Sequence, residues 1–212
     1  IQQELIGILE SYLENIIGVY LYGSYARGEQ REDSDIDLLI ISNKKIKIRE
    51  KGFEIIILQR SEIKEAIKIA PVLIYSAFME AKPIINSELL IELRKNYIPK
   101  IQDFKEYLKE TENIIKINEE FFSPYSVILR LRGAYIIGRI LSGKQYFYDD
   151  FKKWVLGGSK NKDDIKESFD AIYNNYLKIK NGANSSYKEK SSKDILMILK
   201  DKIKKIREKY NA

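Results

Sequence analysis

GSYARG at residues 23–28, followed five residues later by SDIDLLII at 34–41, is the stretch that decides the fold of the first part of this chain. VYLY at 19–22 precedes it as a short β-rich run, and the apolar residues of the second segment predict another strand. A third strand is predicted at 53–58, after an exposed turn at 43–52. A Gly-Ser pair therefore ends one strand, and an Asp-x-Asp pair begins the next.

Helices are predicted on either side of these strands. Apolar residues recur every three or four positions over 2–17, which indicates an amphipathic helix that Gly18 stops. Residues 61–80 are expected to be helical with a break at Pro71, and KPIIN at 82–86 is expected to add an edge strand. We predict a mixed sheet covered by helices, an α+β arrangement within the broad α/β class.

The rest of the chain predicts an all-helical domain. Residues 1–92 hold 11 Lys/Arg and 15 Asp/Glu, net −4, whereas the remainder holds 26 and 16, net +10. Beyond Ser87, an expected N-cap, we see helical periodicity and no convincing strand. We therefore predict a mixed-sheet domain at 1–92 and a helical bundle at 93–212. The predicted helices are 88–119 with a kink at Pro99, 125–141, 146–156, 163–180 and 192–209.

The composition excludes several kinds of chemistry. The 212 residues include no Cys and no His, which excludes disulfides, thiol nucleophiles, His-ligated zinc and a His general base. Catalysis must then use carboxylates, Lys, Tyr, hydroxyls or a metal held by oxygen ligands. No apolar run has membrane-spanning length and the chain opens with IQQE, so we expect a cytoplasmic protein without a membrane partner.

Asp35 and Asp37 predict a divalent metal site. Because they are two apart in an extended run, both side chains point to one face while Ile36 points to the other. Their repulsion is tolerated when a cation neutralises it, and paired oxygen ligands suit Mg²⁺ or Mn²⁺. Gly23 and Ser24 supply backbone N–H groups and a hydroxyl at a turn that favours phosphate oxygens. Each motif alone is more often a solvated turn, but together they indicate phosphoryl or nucleotidyl transfer.

This combination resembles the DNA polymerase beta-like nucleotidyltransferase superfamily, in its minimal-nucleotidyltransferase branch. The resemblance implies transfer of a nucleoside monophosphate from a nucleoside triphosphate, with ATP as the default donor, to an acceptor hydroxyl with release of pyrophosphate. It implies that the Gly-Ser pair binds the phosphates and that the two aspartates bind two metal ions. The residues that carry it, all within 1–92, are Gly23, Ser24, Arg27, Gly28, Asp35 and Asp37.

Two further residues complete the site that the resemblance implies. Arg27 is expected to help bind the nucleotide by supporting the phosphate loop, with a surface salt bridge to the acidic residues at 31–35 as the alternative. A third acid usually completes such a site, as a metal ligand or as the base that takes the acceptor's proton. Glu54 is the candidate because an acid within an apolar strand needs a partner or a metal. A strand-start residue that reaches solvent is the other explanation, and Glu50 is the reserve.

The helical part loosely resembles the HEPN-type bundles that accompany this superfamily. Since the ribonuclease form of that bundle needs a His, we do not expect RNA cleavage. Arg132 and Arg139 share a helix face and Arg130 lies off it, so contact with substrate phosphate and helix-surface salt bridging are both open. Lys and Tyr interleaved through this half indicate nucleic-acid binding or a solvated face. Residues 181–192 are expected to form a mobile loop beside a substrate cleft.

Three functions fit the sequence. The first is a Mg²⁺-dependent nucleotidyltransferase whose acceptor lies between the two domains and is a small hydroxyl compound, a protein Tyr or Ser, or an RNA 3′ end. The second is a nucleotide-binding regulatory or antitoxin-like module with little turnover. The third is a nucleic-acid-binding scaffold with a vestigial sheet domain. A homodimer is an allowed state, and the basic excess of the second half favours an anionic acceptor or partner.

Overall fold

The chain divides into two compact units. The computed structural model describes residues 2–32, 34–157, 162–180, 182–183 and 192–211. The sheet unit comprises residues 1–99 with 143–145, and the helical unit comprises 100–142 with 146–212. A mixed sheet with helices followed by a helical region confirms the predicted fold class. The predicted domain boundary between residues 92 and 93 stays a prediction.

The sheet unit is built on four strands in the order β3-β2-β1-β4. β1 pairs antiparallel with both β2 and β4, whereas β2 and β3 are parallel. The three strands predicted after the Gly-Ser pair are all present with nearly the predicted bounds. The strands are β1 Ile16–Tyr22, β2 Ile36–Ser42, β3 Phe53–Gln59 and β4 Lys82–Ile85.

The first helix is shorter than its apolar periodicity predicts. α1 ends at Leu9, a 3₁₀ turn covers Glu10–Asn15, and β1 already begins at Ile16. The predicted helix over 2–17 is thus wrong in its second half, because Ile16 pairs with Ser42 in the sheet. Such β-branched residues satisfy a helical spacing and a strand equally well. The helices of the sheet unit are α1 Gln2–Leu9, α2 Gly23–Arg27, α3 Ile63–Ile69, α4 Pro71–Glu80 and α5 Ser87–Asn96.

Both faces of the sheet are covered by helices. Alternate residues of each strand point to opposite faces, so each strand contributes side chains to both contacts. One face packs against α1, where Leu9 contacts the cluster containing Val19 and Ile40. Ile48 is buried in this same cluster, so the expected exposed turn at 43–52 is wrong in part. The other face carries fully buried residues and packs against α3, α4 and α5.

Asn86, and not Ser87, caps α5. The Asn86 side chain accepts a hydrogen bond from the backbone N–H of Leu89 at 3.0 Å and donates one to the carbonyl oxygen of Ile17 at 2.9 Å. Both residue types are common N-caps, and the bond to β1 decides between them. Asn86 adopts a left-handed conformation with φ of +63°, which Asn tolerates better than most residues.

The helical unit contains the predicted helices with one correction. The segment expected to form a single kinked helix at 88–119 is broken: α5 ends at Asn96 and a 3₁₀ turn occupies Ile101–Phe104 before α6 begins. Pro99 ends the first helix because it lacks an N–H and disfavours a helical residue before it. The expected loop at 181–192 lies outside the described residues except for 182–183 and 192. The helices are α6 Lys105–Glu120, α7 Pro124–Ile140, α8 Tyr148–Leu156, α9 Lys162–Lys180 and α10 Ser192–Tyr210.

The three arginines of α7 have different surroundings. Arg130 pairs with Glu110 at 2.9 Å, and Arg139 lies 3.7 Å from a carboxylate oxygen of Asp150. Arg132 donates to the Tyr176 hydroxyl at 2.5 Å. Salt bridging is therefore observed for Arg130 and Arg139. No helix among the described residues has the length and apolar character needed to cross a bilayer.

Replacing Asn86 with Ala should destabilise the sheet unit far more than replacing Ser87 with Ala. Asn86→Ala removes the cap and places Ala at positive φ, for a loss of about 2 kcal/mol in the free energy of unfolding. Ser87 is exposed, so Ser87→Ala should change that energy by less than about 0.5 kcal/mol. Urea unfolding of both variants measures the difference, and equal losses would contradict the assignment of the cap.

Candidate functional site

The strand pairing places the Gly-Ser turn beside the aspartate pair. Tyr22, the last residue of β1, pairs with Asp37 of β2, and Asp37 pairs in turn with Glu54 of β3. Residues paired in register carry their side chains on one face of a sheet, so these three form a row across three strands. Gly23 and Ser24 follow directly as the first residues of α2. The sheet thus brings together four of the six predicted site residues.

Gly23 is required by the close approach of Asp37. Its φ is +69°, in the left-handed region that side chains disfavour, and a Cβ built on it would lie 1.8 Å from Oδ2 of Asp37. That distance is far inside van der Waals contact, so any side chain at this position would displace the carboxylate. The Gly-Ser turn and the second aspartate are therefore fitted to one another.

The three predicted metal-binding acids differ in their surroundings. Asp37 is half-buried, whereas Asp35, just before β2, and Glu54, near the start of β3, are exposed. Across the part of the chain that the structure describes, no group of three or more Asp, Glu, His or Cys side chains is arranged to hold a metal ion. The assignment of all three acids to metal ions stays a prediction.

Tyr22 is buried near three carboxylates, those of Asp37, Glu54 and Glu80. It is only 6% exposed, and its pKa is raised well above the ordinary value, mainly by burial and further by Asp37, Glu54 and Glu80. Each carboxylate opposes the appearance of another negative charge on the phenol. A cluster of acids that repels an anion in this way is suited to a divalent cation.

Arg27 is held between two carboxylates. Its Nε donates to Glu29 at 2.8 Å and its Nη1 donates to Glu80. Glu80, at the end of α4, is also the acceptor for the Ser76 hydroxyl at 3.0 Å. The ion pairs with Glu29 and Glu80 link Arg27 to a residue two positions beyond α2 and to a separate helix. The predicted nucleotide-binding role of this arginine stays a prediction.

Sequence reasoning missed Glu80 and Tyr22. The signal for Glu80 was present, because it is the only acid in the otherwise apolar helix PVLIYSAFME, which is the argument that selected Glu54 in β3. Tyr22 offered no such signal, since an aromatic residue in a strand is ordinary. Its place beside Asp37 depends on strand register, which the sequence does not specify.

Comparison with known proteins agrees with this geometry. The family model for the polymerase beta nucleotidyltransferase domain matches residues 3–96. A protein of Methanocaldococcus jannaschii, provisionally named a protein adenylyltransferase, is 36% identical over 72 residues, which cover 34% of this chain and 70% of that protein. The chain belongs to the polymerase beta nucleotidyltransferase family. It is therefore a nucleotidyltransferase, as the residues around Gly23 and Asp37 predict.

A solved structure extends the likeness over both units. Spectinomycin adenyltransferase from Enterococcus faecialis, determined with ATP and spectinomycin, aligns with 96% of this chain and 98% of its own, with a TM-score of 0.57 and 18% sequence identity. At that identity the likeness concerns the fold, and it confirms the predicted combination of a sheet domain with a helical domain. The HEPN-type resemblance of the helical part stays a prediction.

Two glycines allow a matched test of the fit between the turn and Asp37. Gly23 and Gly28 both have positive φ, but a Cβ on Gly28 would meet no atom within 4 Å. We expect Gly28→Ala to lower the free energy of unfolding by about 1 kcal/mol through backbone strain alone. Gly23→Ala should cost a further 1–3 kcal/mol or so, because it also forces Asp37 to move. Chemical denaturation measures both, and equal losses would show that the close approach is unimportant.

The buried tyrosines predict a loss of stability at alkaline pH. Burial raises the pKa of Tyr20 from 10.0 to about 12, and the pKa of Tyr22 is raised in the same direction. The unfolded chain then releases these protons above pH 10 while the folded chain retains them, so stability is complete below pH 10 and falls as pH rises through 12. Each group contributes a slope of up to about 1.4 kcal/mol per pH unit.

The Tyr22→Phe variant isolates one of these contributions. Its free energy of unfolding, measured by urea titration between pH 9 and about pH 11.5, should fall less steeply than that of the unmodified chain. Identical slopes in the two proteins would mean that Tyr22 does not retain its proton in the folded state.

Proposed function

We propose that this nucleotidyltransferase transfers the adenylyl group of ATP to an acceptor hydroxyl, with release of pyrophosphate and with Mg²⁺ or Mn²⁺ bound by Asp35, Asp37 and Glu54. The observation that carries the proposal is the fit of the Asp37 carboxylate against Gly23, the residue that precedes Ser24. The name of the Methanocaldococcus jannaschii relative supports an adenylyl donor. The fold neighbour, solved with ATP, is consistent with that choice.

The residue types of the three acids suit divalent cations. All three acids offer carboxylate oxygens, and a chain without Cys or His leaves hard, oxygen-binding ions as the suitable class. Burial is the main cause of the raised pKa of Tyr22, and the further contribution of Asp37 and Glu54 supports a negative potential that bound cations would balance. When bound, such ions supply positive charge to the attacking and leaving oxygens of the transfer.

The protein residues have separate roles in this mechanism. The Ser24 hydroxyl and the N–H groups of the turn donate hydrogen bonds to the triphosphate oxygens. Gly23 has no side chain, which lets the Asp37 carboxylate lie against the turn that binds the nucleotide. Glu54 is exposed, so an acceptor hydroxyl can reach it. Its carboxylate then accepts the hydroxyl proton as that oxygen attacks the α-phosphorus and the bond to pyrophosphate breaks.

We propose a protein hydroxyl, of Tyr or Ser, as the acceptor. The relative that shares 36% identity carries the name of a protein adenylyltransferase. The net charge of +10 beyond residue 92 supports an acceptor with an acidic surface. A small hydroxyl compound and an RNA 3′ end are the other outcomes of the test below. The cytoplasmic location and the homodimer stay predictions.

The decisive experiment incubates the protein with α-labelled ATP and Mg²⁺, separately with protein, RNA and small-molecule extracts. We expect label on protein together with released pyrophosphate. Glu54→Gln should slow pyrophosphate release by about 10²–10⁴-fold, the usual contribution of a general base, and Glu50→Gln should not. A larger loss in Glu50→Gln would transfer the role of base to that residue.

Two outcomes would contradict the proposal. Absence of a labelled product in every pool, from protein whose fold is intact, would oppose transfer from ATP. Magnesium-dependent ATP binding without pyrophosphate release, unchanged by Glu54→Gln, would instead support the regulatory or antitoxin-like module.

A further inference from the structure

Glu80 is a buried acid that the proposed reaction does not use. It is 5% exposed, and the only other buried charged residue among those the structure describes is Lys202, in the other unit. Oε2 of Glu80 accepts from Arg27 and Oε1 accepts from Ser76 at 3.0 Å. A carboxylate at this depth is retained at a considerable desolvation cost, which hydrogen bonds and a counter-ion must offset.

The Arg27–Glu80 pair joins the Gly-Ser turn to α4. Arg27 is the last residue of α2, four positions after Gly23 and three after Ser24, so all three lie within one helical turn. The Arg27 side chain is 10% exposed and the Glu80 side chain 4%. The pair is thus largely shielded from solvent, and it connects the predicted phosphate-binding residues to a helix about fifty residues further along the chain.

The arginine is surrounded by negative charge. Nη1 is bonded to Glu80 and Nε to Glu29 at 2.8 Å, so two carboxylates already balance one guanidinium. Carboxylates already accept from Nε and Nη1, and their negative charge would repel an approaching phosphate. Removal of one member of a buried pair leaves the other uncompensated, whereas removal of both is often tolerated. The ion pair is therefore better suited to holding the turn in place than to contacting substrate.

We propose that Glu80 and Arg27 are positioning residues: their buried ion pair holds the turn at residues 23–27 in the conformation that binds nucleotide, and Arg27 does not contact the phosphates. The proposal rests on the proposed function, in which this turn binds ATP. It assigns Glu80 to the site, as the partner through which Arg27 gives the phosphate loop the support that the sequence predicts.

A double-mutant cycle tests the proposal. The variants are Arg27→Met, Glu80→Met and the two combined, and the probe is the Mg²⁺ complex of α,β-methylene ATP, measured by calorimetry. Arg27→Met leaves the buried Glu80 carboxylate without its counter-ion, and Glu80→Met leaves Arg27 paired with the more exposed Glu29. Both changes should shift the turn, so affinity should fall about tenfold to a hundredfold. The double variant removes both charges and should bind within about threefold of the unmodified protein.

Direct contact between Arg27 and phosphate predicts a different result. The double variant would then bind as weakly as Arg27→Met, because removal of Glu80 cannot restore a lost phosphate ligand. That outcome overturns the proposal.

Hydrogen exchange of the backbone amides at residues 23–29 gives a second measurement that needs no nucleotide. Exchange should be faster in both single variants and return to the original rate in the double variant. Should the unmodified protein bind no nucleotide, the proposed function fails, and this exchange pattern still decides whether the pair holds the turn. Unchanged exchange in the single variants overturns the proposal.

Glu80→Gln covers the case in which a methionine variant does not fold. It keeps the shape of the side chain and removes the more buried of the two carboxylate charges that balance Arg27. Exchange at 23–29 should still become faster and nucleotide affinity should fall about tenfold. If both values match those of the unmodified protein, the charge of Glu80 has no positioning role.

Discussion

The contact between Gly23 and Asp37 is the constraint on which the rest of this site depends. A Cβ at residue 23 would lie 1.8 Å from the Asp37 carboxylate. The turn after β1 can therefore lie against the first residues of β2 only when residue 23 is glycine. The antiparallel pairing that sets Tyr22 against Asp37 produces this approach. As a result, Gly23 and Ser24 lie at the end of β1 beside the start of β2, where the proposed binding of a nucleotide and metal ions would use the Ser24 hydroxyl, the N–H groups of the turn and the Asp37 carboxylate.

Negative charge predominates around Tyr22 and Asp37. Asp37, Glu54 and Glu80 all oppose ionisation of the buried Tyr22, while Arg27 is engaged by Glu29 and Glu80. The protein therefore offers the site an excess of negative charge and keeps its nearest guanidinium for internal pairing. In the proposed function, divalent cations and not arginine would bring the anionic triphosphate close to these carboxylates.

Much of the sheet unit follows from local sequence patterns. The apolar, β-rich runs of β2 and β3, the break at Pro71 and the edge strand at Lys82–Ile85 are predicted from residue type, because each depends on neighbours in the chain. The predictions fail where contacts with distant residues decide. Ile16 satisfies a helical spacing yet pairs with Ser42, and Asn86 replaces Ser87 as cap because it also bonds to Ile17. Pro99 shows the same limit, since a kink and a complete break have the same local signal.

By itself, the sequence determined the kind of chemistry: the absence of Cys and His excludes thiolate and imidazole ligands, and the Gly-Ser and Asp-x-Asp pairs at the ends of adjacent strands predict nucleotidyl transfer. The tertiary structure decided which residues surround that chemistry. Strand register placed Tyr22 and Glu54 on either side of Asp37, and the packing of α4 brought Glu80 to Arg27 across 53 positions of chain. The physical reason is that residue type limits which bonds can form, whereas burial and register, which depend on the whole fold, select the partners that form them.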